Sequence, residues 1–306
     1  MQPRELLEEA QREGITCLAL TDINNTSAHW DFVRLAPEYG IRPVTGIDFR
    51  NKGTDDELPI YIGIAQNTEG YGRLCAHLND HLNAHQSFSL EIPQIPDVTF
   101  ICPWERWKLR LERSTDTQPT GTEWIGVRPW EQSELRLLAN DPAFKNRIPW
   151  NRLIALHTFS FRHKRDWNCH RILRAVDRNE LLSRLPKNAT GNAYDRVLSP
   201  SNFHQAFAEF PEWVERSEAI LNACTAQLPV PENGRFHNNQ HTYTDSEDND
   251  EQLIRVLCAE GLAYRYPDHD ETVLERMEME LRVIRQQAMR AVAVIFTLEG
   301  EAEPTA

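Results

Sequence analysis

The chain has no two cysteines at CxxC spacing; its six, at positions 17, 75, 102, 169, 224 and 258, are scattered. This excludes a ribbon-type zinc site and a tight disulfide framework, and reads as reduced thiols. No apolar run reaches the ~18 residues that a membrane-spanning helix needs. The opening Met1-Gln2-Pro3-Arg4-Glu5-Leu6 lacks the apolar core of a signal peptide. The expectation is a cytoplasmic chain with no membrane partner. Basic charge is short as well: 33 Lys and Arg against 46 Asp and Glu leave a net −13 over 306 residues. Phosphate backbones reward clustered Lys and Arg, so DNA contact is expected only through a local patch or a larger protein.

What is present is an alternation of short apolar runs and amphipathic stretches, long enough for one large α/β domain and an appendage. Cys17 to Asp22 and Ile41 to Phe49 each read as a buried strand ending in a carboxylate, Asp22 and Asp48. Thr26 or Ser27 is placed to cap a helix between them that closes near Gly40. Further strands are expected at 58–65, 98–102, 123–129 and 153–156, and helices at 3–14, 69–84, 131–139, from 200 and at 217–226. Strand following helix in this way predicts a parallel α/β barrel or layered sheet.

Two side-chain patterns invite functional readings. His77, His81 and His85 recur every four residues on one helix face, a zinc-binding spacing, but no Glu follows His77 as in HExxH, so a solvated or half-buried polar stripe is the simpler reading. Trp104 to Arg110 interleaves aromatic and basic residues in the manner of a base-stacking patch, yet its acidic neighbours favour packing of the two Trp rings.

The text Leu-Ala-Leu-Thr-Asp-x-x-Asn, followed by Gly-Ile-x-Pro-Val-x-Gly-x-Asp-Phe, resembles the opening of the PHP domain (polymerase and histidinol phosphatase) of bacterial DNA polymerase III alpha subunits. The resemblance continues through Ile125 to Glu131, Phe161 to Asp166 and His170 to Val176, and extends to about residue 287. It implies an α/β fold, a PHP-type distorted (β/α) barrel followed by a short, mainly helical extension. The implied divisions are a PHP domain at 1–226 lacking its first strand, a linker at 227–250, a helical entry to the polymerase palm at 251–287 and a divergent tail at 288–306.

Active PHP domains hold divalent metals in a cluster of His, Asp and Glu, which acidify a bound water and clamp a phosphodiester oxygen. The resemblance implies a pocket at Asp22, Ile23, Asp48, Thr158, Ser160, Asp166 and His170, with most donors gone. Ile23 stands at the His of Thr-Asp-His; Thr158 and Ser160 stand at the Asp and His of Asn-Asp-x-His-Tyr. The family's His-x-His strand has no counterpart ahead of residue 3. Asp48 matches an acidic ligand position, and Asp166 and His170 fit a helix start better than a metal.

Three readings remain open. One is a portion of a DNA-directed DNA polymerase III alpha subunit with a metal-less PHP domain in a structural or partner-docking role, without catalysis of its own. Its partners would be the remainder of the polymerase core and a proofreading exonuclease subunit. DNA would be met only through the full polymerase, which uses Mg²⁺; no cofactor is expected in this stretch. The others are a free-standing PHP-type metal-dependent phosphoesterase or exonuclease, and a non-catalytic interaction module.

Overall fold

A computed structural model describes residues 1–51, 58–113, 118–186, 189–226 and 242–286. The expected tail at 288–306 and residues 227–241 of the expected linker lie outside the described residues. The chain divides into two units, Met1–Leu228 and Pro229–Ala306.

In the first unit six strands form one curled sheet in sequence order, a half-barrel of mixed direction. They are β1 (Cys17–Ile23), β2 (Arg42–Phe49), β3 (Tyr61–Ala65), β4 (Val98–Pro103), β5 (Glu123–Val127) and β6 (Leu153–Ala155). Helix α1 (Pro3–Arg12) precedes β1, α2 (His29–Leu35) joins β1 to β2, and α3 (Thr68–Asn83) follows β3. Then come α4 (Trp104–Arg113), α5 (Gln132–Asn140), α6 (Lys164–Asp177), α7 (Pro200–Ala206) and α8 (Pro211–Ala223).

One strand departs from the parallel expectation: β3 runs antiparallel to both β2 and β4. A parallel neighbour needs a crossover of about a dozen residues or more, usually a helix, and the connection from Arg50 to Ile60 is too short to supply one. The other five strands point the same way, so their C-terminal ends share one mouth. The helix caps differ in detail too. Ala28, not Thr26 or Ser27, occupies the α2 cap position without a side-chain bond, because the preceding turn is taken by Asn25, whose side chain accepts from the Ser27 N–H. Pro211 breaks the expected run from 200 into α7 and α8, since a proline is tolerated in the first turn of a helix but not inside one.

Alternation along the strands fixes what each face meets. Ile47, Phe49, Phe100, Ile125 and Leu153 pack outward under α3, α4 and α5, where Leu74, Trp104, Trp107 and Leu135 are fully buried. The two Trp rings are therefore core, and the segment offers no base-stacking surface. His77 is half-buried among Phe49, Tyr61 and Phe88, and its Nε2 lies 3.0 Å from the Tyr61 hydroxyl. Val44, Ile62, Ile64, Ile101 and Ile154 face the concave side, which α8 covers with Ile220, Leu221 and Cys224. Arg42, at the start of β2, clasps that helix end: its guanidinium donates to the carbonyls of Leu221 (3.0 Å) and Cys224 (3.2 Å) and to Asn222 Oδ1 (3.0 Å).

In the second unit, α9 (Glu247–Arg265) and α10 (Glu271–Gln286) pair through Ile254, Leu281, Leu253 and Met277. The helix α9 begins inside the stretch read as linker. The Ser246 side chain accepts from the Asn249 N–H, and Glu247, Asp248 and Asp250 fill the first turn, where a helix favours negative charge. The acids at 247–251 are thus helical, not part of a flexible run. Asp250 is buried and accepts from the Tyr243 and Thr244 backbone N–H groups.

Candidate functional site

The mouth lies where β1, β2, β4, β5 and β6 end. Ile23 is paired with Asp48 across the β1–β2 register, and by alternation it shares the concave side with Cys17 and Ala19. Asp22 falls on the other side with Leu18 and Leu20, so its carboxylate points away from Asp48; burial raises its pKa, offset by the chain's amino terminus. The ends of β1 and β2 thus meet at one mouth, while the Asp22 and Asp48 side chains fall on opposite faces of the sheet.

Asp48 is engaged. Two residues on, and on the same face, Arg50 forks onto it, with Nε to Oδ1 at 3.0 Å and Nη2 to Oδ2 at 2.6 Å. Asn24, in a left-handed backbone conformation, holds this strand end: its side chain donates to the Arg50 carbonyl and accepts from the Arg50 N–H, and its own N–H donates to the Asp48 carbonyl.

Across the mouth, Arg128 follows β5. Its backbone N–H donates to Glu131 Oε2 at 2.6 Å, and its guanidinium lies 3.2 Å from Glu131 Oε1 and 4.0 Å from Glu105. Glu131 is almost wholly buried, and that burial pushes its pKa up to about 7 against the pull of Arg128. Asp195 completes the cluster. Its backbone carbonyl accepts from the Ser160 and Phe161 N–H groups, and its Oδ2 accepts from the Asn192 N–H at 2.8 Å. Burial raises its pKa, opposed by the Asn192 N–H, Arg128 and Arg50.

His157 follows β6. Its Nε2 lies 2.7 Å from the Arg196 carbonyl, which can only accept, so Nε2 carries the proton and Nδ1 keeps its lone pair. That Nδ1 and Asp195 Oδ1 are buried and have no hydrogen-bond partner among the described residues. Burial lowers the His157 pKa, with the Arg196 carbonyl opposing and Arg128 adding to the fall.

The remaining expected residues are dispersed. Thr158 is half-buried and Ser160 exposed, and neither hydroxyl makes a hydrogen bond among the described residues. Asp166 accepts from the Arg162 N–H at 3.1 Å and from its guanidinium, as an acid in a first helical turn does. His170 Nε2 accepts from the Gly191 N–H at 3.3 Å, far along the loop that packs on α6. Among the described residues no three His, Cys, Asp or Glu side chains stand as a group that could hold a metal ion. Ile23 has no donor atom, and both Asp48 oxygens accept from Arg50. The mouth carries a lattice of two arginines, Arg50 and Arg128, and four buried or half-buried carboxylates, Asp48, Glu105, Glu131 and Asp195.

Sequence reasoning missed Arg50, Arg128, Glu105, Glu131, Asp195 and His157 as one group. Only one signal was present: a strand reading Asp48-Phe49-Arg50 places the acid and the base on the same face.

The lattice sets a pH dependence that can be checked. Glu131 releases its proton near its usual 4.5 when unfolded but at about 7 when folded, so folding is unhindered below 4.5 and loses stability as pH rises to 7. The displacement is worth about 3 kcal/mol. Glu131→Gln, whose amide oxygen still accepts from the Arg128 N–H, is expected to match the parent near pH 4.5 and to exceed it by about that amount at pH 8. Urea denaturation at the two pH values measures this; an equal difference at both would show that the carboxyl stays ionised throughout.

A family model described as PHP domain matches residues 1–106. The DNA polymerase III subunit alpha of Campylobacter jejuni is 21% identical over 95% of this chain and 29% of its own length. That of Bacillus subtilis is 23% identical over 92% of this chain and 26% of its own length, and that of Halalkalibacterium halodurans 19% over the same shares. The chain spans between a quarter and a third of the length of these curated relatives. The PHP domain match covers the first four strands of the half-barrel, and over 92–95% of its length the chain is similar to DNA polymerase III alpha subunits.

Proposed function

We propose that this chain serves as the PHP portion of a replicative DNA polymerase III alpha subunit, and that its PHP mouth is a structural brace without metal chemistry. The observation that carries the reading is the Asp48–Arg50 fork beside Ile23: a guanidinium neutralises the acidic position where a metal would otherwise do so. Nucleotidyl transfer requires a clamp for two metal ions, and the described residues offer no group of three acidic, His or Cys side chains to support one. In this reading polymerisation, Mg²⁺ and DNA contact belong to the full polymerase, and a proofreading exonuclease subunit is a candidate partner. The chain would act in the cytoplasm with the rest of that enzyme.

The test is elemental analysis of protein purified without chelator, together with titration by Mn²⁺ and Zn²⁺. Binding weaker than micromolar and no hydrolysis of a single-stranded oligonucleotide are expected. Two or three tightly held metals per chain, with EDTA-sensitive hydrolysis, would instead establish the phosphoesterase reading, for which the unpartnered His157 Nδ1 and Asp195 Oδ1 are the residues to examine first.

A further inference from the structure

Helix α6 is built inside out. The side chains it turns toward the domain are mostly polar, and several are tied to the loop at 189–191. Trp167 Nε1 donates to the Gly191 carbonyl at 2.8 Å, His170 Nε2 accepts from the Gly191 N–H, and Arg174 Nε donates to the Ala189 carbonyl at 2.9 Å. Arg171 lies over the Trp167 ring, 4.8 Å from its centroid. The opposite face carries Ile172, Leu173 and Val176, each more than half exposed, and the chain past the helix exposes Leu181 and Leu182.

A helix on a soluble surface normally does the reverse, with aliphatic residues inward and arginines in water. Single exposed aliphatics are ordinary, but a row at helical spacing is a contact surface. The helix cannot roll to bury that row without giving up the three hydrogen bonds that hold its inner face.

The charge beside the row selects the occupant. Its acids are already matched: Asp177 pairs with Arg174 at 2.6 Å and Glu180 with Arg178 at 3.7 Å. Arg165, seven residues before Ile172 and so on the same face, and Arg184, just past Leu182, are exposed and have no ion pair among the described residues. Unmatched charge here is positive, in a chain whose total is −13. We propose that this face of α6 docks an amphipathic helix of a partner protein, one presenting an aliphatic stripe flanked by Asp and Glu. Burying the row supplies affinity, and the two cations set the register against acidic flanks.

The probe is a fluorescein-labelled helical peptide of about 18 residues, with leucines at i, i+3, i+4 and i+7 and glutamates beside them. It is titrated with the full chain by fluorescence anisotropy. Saturable binding is expected, weakened at least about tenfold both by Leu173→Ser with Val176→Ser and by Arg165→Glu with Arg184→Glu. All four positions are exposed, so thermal melts should be unchanged and the loss attributable to the surface. A scrambled peptide of the same composition should not bind. The proposal fails if the scrambled peptide binds equally, if no saturable binding occurs, or if either substitution pair leaves binding intact. It also fails if the row proves to be a self-interface, seen as dimers abolished by the serine pair, or partitions onto phosphatidylglycerol vesicles in preference to the peptide.

Discussion

Arg50→Ala is expected to destabilise the first unit by about 3–5 kcal/mol, the usual consequence of leaving a buried carboxylate without its partner. The Asp48 side chain is only 8% exposed, and both of its oxygens are committed to this one guanidinium. The loss does not stop there, because Arg50 is also one of the two arginines that favour the ionised form of buried Asp195. Arg50 itself is 28% exposed, so water entering where it stood brings the loss toward the lower end of the range. Replacing both partners tells a different story: Asp48→Leu with Arg50→Leu removes the charges together, and is expected to lose less than the single alanine. Urea denaturation of the three proteins decides the matter. If the single variant loses under about 1 kcal/mol, Asp48 is hydrated and the fork is not what holds the mouth.

Acid should unfold the same unit through His29. This ring is fully buried at the start of α2, with Nδ1 3.0 Å from the Tyr71 hydroxyl and Nε2 without a partner among the described residues. Burial lowers its pKa from the usual 6.5 to about 4. A base whose folded pKa is depressed contributes its full stability above 6.5 and loses it as pH falls toward 4, here by about 3 kcal/mol. The decline should appear in urea midpoints measured between pH 7 and 4 in the Glu131→Gln background, where the opposing carboxyl is absent, and the His29 ring resonances should titrate near pH 4. His29→Leu should flatten that part of the profile; a variant as acid-sensitive as the parent would assign the transition to other groups. Glu131 acts in the opposite sense over the same interval, so neither effect is read from the parent alone.

The strands were legible in the sequence because each is a short apolar run with turn residues at its ends; in the β1–β2 pair Ile23 stands beside Asp48. The direction of β3 was not legible, since an apolar run such as Ile60 to Ala65 looks the same in either direction and only the length of the preceding connection distinguishes them. The mouth lattice was harder still. Asp48, Arg128 and Asp195 are far apart in the chain, and none is unusual in its own neighbourhood; only curling of the sheet brings them together. Reading Asp22 as a pocket residue failed for a local reason: strand side chains alternate, so Asp22 and Ile23 cannot both face the concave side.

The clasp of Arg42 on the end of α8 joins residues 182 apart in sequence. At a synthesis rate of about 5–20 residues per second, Cys224 emerges roughly 10–40 s after Arg42. During that time the concave faces of β2, β3 and β4 are made but lack the helix that covers them. The segment matching the PHP family model ends at residue 106, before that helix, and so is not by itself a folding unit. Chains cut near that point should expose Val44, Ile62, Ile64 and Ile101 to water and to one another, with the aggregation that a nascent sheet invites. Any dissection of this protein for expression or screening therefore has its natural boundary after α8, and a chaperone has its natural client in the chain that has not yet reached it.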